Sequence, residues 1–256
     1  MPKIWVLRGI KKGIVTTKFP KEKPTMDEIP SCSIPPGSVE GSDWQAGEKL
    51  CPTGAIQPIS RRIDLQKCIY CKRCANAGFA FQSTDTGTTA ALEASLTQFG
   101  QKALLAKGGL FSQSFHVLMI DVGSCNACNL EVANLANPYY DLNRLGIFFT
   151  NSSKHADALI VVGALNKSMV DVVKRTYESM PEPKLVIASG ACAISGGIFQ
   201  DSESFVSRIQ EVLPVDAVIP GCPPSPIQIL EGLLLAMGKL EKKQREPTNS
   251  AKEEVQ

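Results

Sequence analysis

Along the second half of the chain the polar pattern is interrupted by short apolar runs: FHVLMIDVG from Phe115, DALIVVGAL at 157–165, KLVIASG at 184–190 and DAVIPG at 216–221. Each ends in or near glycine. Their length and branching predict buried strands, and the segments between them have helical spacing, with a helix predicted from Asn126 to Ala136 leading away from the first run. Strand and helix alternate, which predicts an α/β domain over 115–238 built on an open parallel sheet. Strands in such a sheet all point one way, so the turns after their carboxyl ends line one edge, where ligands bind near the switch in strand order.

The first half reads differently. Over residues 1–23, Lys3, Arg8, Lys11, Lys12, Lys18, Lys21 and Lys23 stand against one acid, Glu22, with Trp5, Val6, Leu7, Ile14 and Val15 interspersed. Residues 24–48 are rich in Pro, Gly and Ser around the isolated Cys32. Together, 1–44 predict an extended arm followed by loop, the arm being either solvated or laid on a partner subunit. Residues 83–114 predict a connecting segment with a helix around Ala90 to Ala106, packed on a neighbour through Leu92, Leu96, Phe99 and Leu104. The charged stretch 239–256 predicts a frayed tail.

Composition narrows the classes. A chain of 256 residues with 43% hydrophobic content suffices for one good core and a smaller appended module. Its net charge of +2 lacks the concentrated basic surface that nucleic acid demands. No apolar run approaches the roughly 18–20 residues of a membrane span, and no export signal stands out, so the expectation is a cytoplasmic protein without a span of its own. In that compartment nine cysteines at short spacings argue for metal or redox use.

The cysteines fall into two sets. Cys125 and Cys128 form a C-x-x-C pair after the first strand, while Cys192 and Cys222 each follow a strand of their own, so three distant turns would converge on an iron–sulfur site. Earlier, Cys51-Pro52 precedes Cys68-x-x-Cys71-x-x-Cys74, which resembles half of a bacterial two-cluster ferredoxin. That resemblance implies Cys51 as the fourth ligand beside Cys68, Cys71 and Cys74. A second cluster lacks its ligands, because upstream there is only Cys32 and the position four after Cys74 is Gly78. The expectation is one [4Fe–4S] cluster on a degenerate ferredoxin-like α+β domain over 45–82. Structural zinc, in a non-redox scaffold, is the competing use of the same thiols.

From about His116 to Gly238 the chain closely resembles the small, electron-transferring subunit shared by energy-converting [NiFe] hydrogenases of the formate hydrogenlyase type and by complex I. VGSCNACNLE, SSKHADALIVVGA, ASGACAISGGIF and IPGCPPSP carry the resemblance, in that order. It implies a flavodoxin-like domain with a proximal [4Fe–4S] cluster on Cys125, Cys128, Cys192 and Cys222, hence two clusters in the chain. It also implies a large [NiFe]-type partner subunit, with further iron–sulfur and integral membrane subunits that hold the chain peripherally on the cytoplasmic face. The C-x-x-C spacing matches the hydrogenase branch, whereas complex I subunits place two cysteines side by side; a nickel-free quinone or sulfur oxidoreductase is the alternative. Gly123, Gly190 and Gly221 would let the backbone approach the cluster, and Pro223 and Pro224 would stiffen the last turn. Glu131, one turn into the predicted helix, is a candidate acid behind the cluster's ligands or a proton-path residue at the large-subunit face, or else a surface charge. Asn129 stands where several hydrogenase members have glutamate, and His155 would fix a loop rather than bind metal. No G-x-G-x-x-G or Walker loop appears, which argues against flavin or NAD here. Two complete cysteine sets leave Cys32 over, so Cys32→Ser should leave the iron content unchanged; loss of iron would put Cys32 in the place of Cys51.

Overall fold

A computed structural model describes residues 5–13, 16, 19–20, 32–34, 41–84, 113–237 and 239, with 32–34 and 82–84 described in backbone only. The helix expected around 90–106 and all but one residue of the expected tail lie outside these residues.

The α/β expectation holds. Strands β5 (Phe115–Asp121), β6 (Ile147–Phe149), β7 (Ala158–Val162), β8 (Leu185–Ser189) and β9 (Ala217–Ile219) form one sheet in the order β6-β5-β7-β8-β9, with every neighbouring pair parallel. This is the flavodoxin-like order, with its switch between β5 and β7. Strands β7 and β8 are buried at every position, as a sheet covered on both faces requires. On one face lie α3 (Ala127–Asn134), through Val132, and α6 (Pro226–Ala236), through Ile227, Leu230 and Leu233. On the other lie α4 (Val170–Glu178), through Val173, and α5 (Ala191–Ser195), through Ala193 and Ile194. Edge strand β6 is absent from the expected elements, since three residues, IFF, carry too little pattern to separate from their surroundings.

Helix α6 starts sharply. Ser225 and Gln228 exchange a capping box, with the Gln228 amide donating to Ser225 Oγ and the Ser225 amide to Gln228 Oε1, and Pro226 occupies the first turn.

The smaller unit contains α2 (Trp44–Leu50) and two antiparallel pairs, β1 (Cys32–Ile34) with β4 (Gln82–Thr84) and β2 (Ile56–Gln57) with β3 (Arg62–Ile63). Asp43 caps α2 by accepting from the amides of Gln45 and Ala46. Trp44 meets the buried Phe79 edge-on, ring centres 5.0 Å apart, and this pair anchors the helix over the loop of cysteines.

The extended arm needs correction. Residues Trp5–Lys12 form a helix, α1, because their apolar and basic positions alternate with helical period. Further along, Phe19 is buried in the core of the sheet domain.

Gly232 offers a test of how tightly α6 sits. A methyl group there would fall 2.6 Å from Ile219 Cδ1 and 2.7 Å from Cγ1, in a fully buried strand. Alanine gains about 0.8–1 kcal/mol of helix propensity, but overpacking costs about 1–3 kcal/mol. Gly232→Ala should therefore lose about 1 kcal/mol net in a denaturant titration; a gain would show that the helix can lift away.

Candidate metal centres

Strand β5 ends at Asp121, and the chain then threads between β7 and its own following turn. The Val122 amide donates to Val162 O. Gly163 adopts φ +94°, and a Cβ there would lie 2.4 Å from the Ser124 nitrogen, so only glycine lets the two turns pass. Cys125 is exposed beyond this crossing, Asn126 takes the left-handed conformation at φ 73°, and Cys128 is buried in the first turn of α3.

Asp121 builds that turn. Its Oδ1 accepts from the Gly123 amide at 2.9 Å and the Ser124 amide at 2.8 Å, while Oδ2 accepts from Ser124 Oγ at 2.9 Å and from Asn129 Nδ2. Partial burial by itself would raise the carboxyl, but the four donations outweigh it and hold the group below its ordinary range. Asp121 is not among the residues singled out from sequence, although an Asp two residues before a Gly is the signature of such a turn. Asn129 thereby acquires a role as its partner.

The other two turns close on the first. At Gly190 a Cβ would come 2.7 Å from Cys128 Sγ, which puts the β8 turn directly against that thiol. Cys192 follows in α5, and the Ala191 amide donates 2.8 Å to Gly221 O, tying its turn to that of Cys222. Gly221 is closed in by Pro224, whose Cα a Cβ would approach to 2.4 Å. The three turns that carry Cys125, Cys128, Cys192 and Cys222 lie at one edge of the sheet, and the charges of the four thiols register on one another. Burial pushes the Cys128 thiol up to about 12, with Cys192, Cys222, Cys125 and Asp121 adding to it. Burial and then Cys222 and Cys125 take Cys192 to about 11.

In the smaller unit Cys51, Cys68, Cys71 and Cys74 line one small open-mouthed hollow with Ile56, Ile63, Ile69 and Phe81. Burial raises Cys68 to about 12; a donation from the Tyr70 amide works against this, and Cys51, Cys74 and Cys71 add to it. The Ala55 amide donates to Cys51 Sγ at 3.2 Å. Tyr70 and Lys72 are both left-handed without being glycine, a local concentration of backbone strain inside the C-x-x-C-x-x-C run. Cys32 lies on β1, and its side chain is outside the described residues. Among the described residues no three cysteine, histidine or carboxylate side chains close around one ion-sized point.

The two units that carry the thiols meet. Ser195 Oγ, buried in α5, donates to Ala191 O at 2.9 Å and to Gln66 O at 3.2 Å across the contact. Cys222 is raised by burial, by Cys125 and then by Cys71 of the smaller unit. Nothing in the sequence signals this contact.

Glu131 sits half-buried on α3, where burial raises its carboxyl, and Tyr140 is raised by burial and by Glu131. His155 lies before β7, at the end of the sheet opposite the cysteines. Beside the cysteines, Leu130 and Ile198 are 62% and 59% exposed, an apolar rim to that edge.

Residues 125–236 match the family model described as NADH ubiquinone oxidoreductase, 20 Kd subunit. The chain is similar to the probable membrane-bound hydrogenase subunit mbhJ of Pyrococcus furiosus, 41% identical over 126 residues, 49% of this chain and 75% of that one. It is 40% identical over 131 residues to formate hydrogenlyase subunit 7 of Escherichia coli, covering 51% of each chain. With an NADH-quinone oxidoreductase subunit of Citrifermentans bemidjiense it shares 49% over 113 residues, 44% of this chain and 66% of that one.

The Asp121–Asn129 pair is testable by exchange. D121N sets a donor against the Asn129 amide and N129D sets two carboxylates together; each should cost about 1 kcal/mol, and D121N/N129D should recover most of it. Because the Asp121 pKa is depressed, its contribution is present above the unfolded value of about 3.9 and is lost as pH falls through the folded one. Denaturant titrations at neutral and acid pH check both. Additive losses in the double variant would break the pairing.

Proposed function

The chain belongs to the NADH ubiquinone oxidoreductase 20 Kd subunit family, and from that premise we propose that it is the iron–sulfur relay subunit of a membrane-associated, [NiFe]-hydrogenase-type complex. Its relatives are subunits of hydrogenase, formate hydrogenlyase and NADH-quinone oxidoreductase, and it is likewise a subunit of an oxidoreductase complex. One observation carries the relay reading: two four-cysteine groups stand in units that touch, through Ser195 Oγ donating to Gln66 O, three residues after Cys192 and two before Cys68.

Cys51, Cys68, Cys71 and Cys74 would hold one [4Fe–4S] cluster, and Cys125, Cys128, Cys192 and Cys222 a second, proximal one. The donor sets fit. All are thiols, and the burial and crowding that raise Cys68, Cys128 and Cys192 are relieved by a cationic core that takes them as thiolates. Such clusters, when bound, supply reversible one-electron transfer. The protein's own part is spacing and shielding. Gly190 brings its backbone against Cys128 Sγ, Gly123 and Gly221 let their turns pass Ala164 and Pro224, and Ile56, Ile63 and Phe81 keep one group of thiols against apolar walls; Pro223 would stiffen the last turn. Glu131 offers a half-buried carboxyl one turn into α3, shifted by burial toward its neutral form.

Leu130 and Ile198 mark the surface on which a large [NiFe]-type subunit would seat. Further iron–sulfur and integral membrane subunits would then hold the chain at the cytoplasmic face. Among the described residues no helix is long and apolar enough to cross a membrane.

The C-x-x-C at Cys125 and Cys128 favours the hydrogenase branch. The 49% identity to the NADH-quinone oxidoreductase relative favours a second reading, a complex I-related quinone or sulfur oxidoreductase without nickel. Purification of this chain with its large subunit separates them. The expectation is about eight irons per chain, nickel in the pair, and H2 turnover with viologen dyes. Full iron without nickel selects the second reading, and roughly two zinc ions in place of iron would overturn the relay altogether.

A further inference from the structure

Helix α1 buries none of its residues: Trp5 is 82% exposed, Ile10 73% and Leu7 60%. At about 100° per residue, Val6, Ile10 and Leu7 share an arc of about 100°. Arg8, Lys11 and Lys12 occupy the facing arc, with Trp5 beside Lys12, about 20° from it and about 100° from Val6. No acid lies in the helix, and residues 1–23 hold seven cations against Glu22 alone.

The helix is also tethered. Phe19 is buried in the core of the sheet domain, Arg144 Nη2 donates to Phe19 O at 3.3 Å, and Thr16 Oγ1 donates to Asp141 Oδ2 at 3.4 Å. At no more than about 3.5 Å per residue, the end of α1 stays within about 14 Å of Thr16. An apolar stripe on a helix of eight residues, about 12 Å long, is thus held near the start of the short turn at 142–145, uncovered by any of the described residues.

We propose that α1 is a membrane-surface contact, lying flat on an anionic lipid bilayer with Val6, Leu7 and Ile10 in the headgroup–acyl boundary and Arg8, Lys11 and Lys12, with Trp5 beside them, at the level of the lipid phosphates. The charge pattern selects this occupant. A hydrophobic groove on another protein would satisfy the apolar stripe alone, whereas one anionic interface meets the stripe and the facing basic arc together, as basic amphipathic helices do. The helix is far too short to span the roughly 30 Å hydrocarbon core. Contact with the membrane then comes from this chain itself as well as from other subunits, and it does not depend on either cluster.

The test is vesicle flotation of the full chain, purified with its large subunit. Vesicles of phosphatidylglycerol in phosphatidylcholine should bind it at least about tenfold more tightly than pure phosphatidylcholine, with binding weakened by salt. L7E/I10E should abolish flotation and K11E/K12E should reduce it, while both variants keep the wild-type iron content and melting curve, because these exposed side chains contribute nothing to the described core. Equal flotation by wild type and L7E/I10E, no preference for anionic vesicles, or loss of a protein partner from L7E/I10E with vesicle binding intact would each overturn the proposal. Iron content reads the relay separately, so either idea can fail alone.

Discussion

Thiols crowded at one edge of a parallel sheet repel one another as they ionise, and burial adds to that cost. Cys128 is driven from an ordinary thiol to about 12, a penalty of several kcal/mol against the thiolate form. A loosely held loop would relieve such crowding by moving apart. Here the turns are held by strands buried at every position and by backbone bonds between the turns themselves, including Ala191 to Gly221 and Gly190 to Ile219. Near neutral pH such thiols stay protonated and uncharged, so the core holds them together without repulsion, and only a bound cation would draw them into the thiolate form. Glycine at 163 and 190 belongs to the same account, since any side chain there would strike the backbone of Ser124 or the sulfur of Cys128.

What can be read from the sequence follows from how local each signal is. Strands β5, β7, β8 and β9 are continuous apolar runs bounded by glycine, and such runs have few other uses in a chain of this composition. The cysteines are legible because thiols at C-x-x-C spacing, in turns after parallel strands, can only point to one edge. Strand β6 is not legible at three residues. Helix α1 reads as an extended arm because its eight residues mix Trp, Val, Arg and Lys without a cap, and its exposure gives no burial pattern to read. Asp121 is legible as a turn former two residues before Gly123, but its full role is not. Its four donors come from positions 123, 124 and 129, so its role exists only once the turn has folded.

Contacts across the two units are invisible for a general reason: no periodicity links Gln66 to Ser195, and a single side-chain hydroxyl donating to a distant carbonyl leaves no trace in composition. The resemblance covers the sheet domain and, separately, the ferredoxin-like run, but not the way one sits on the other.

That seating bears on how the chain would work as a relay. Ser195 stands three residues after Cys192 on the same short helix, and Gln66 stands two residues before Cys68. Their bond joins the two groups of thiols through very few atoms on either side, so displacement of one unit acts directly on the turn that carries the other's ligand. Electron transfer between two centres falls steeply with their separation, and a flexible tether would leave that separation to chance. A buried hydroxyl that donates to its own helix at Ala191 and to the neighbouring unit at Gln66 removes part of that freedom. The nearness of the two cysteine-bearing units is then a property of the folded chain.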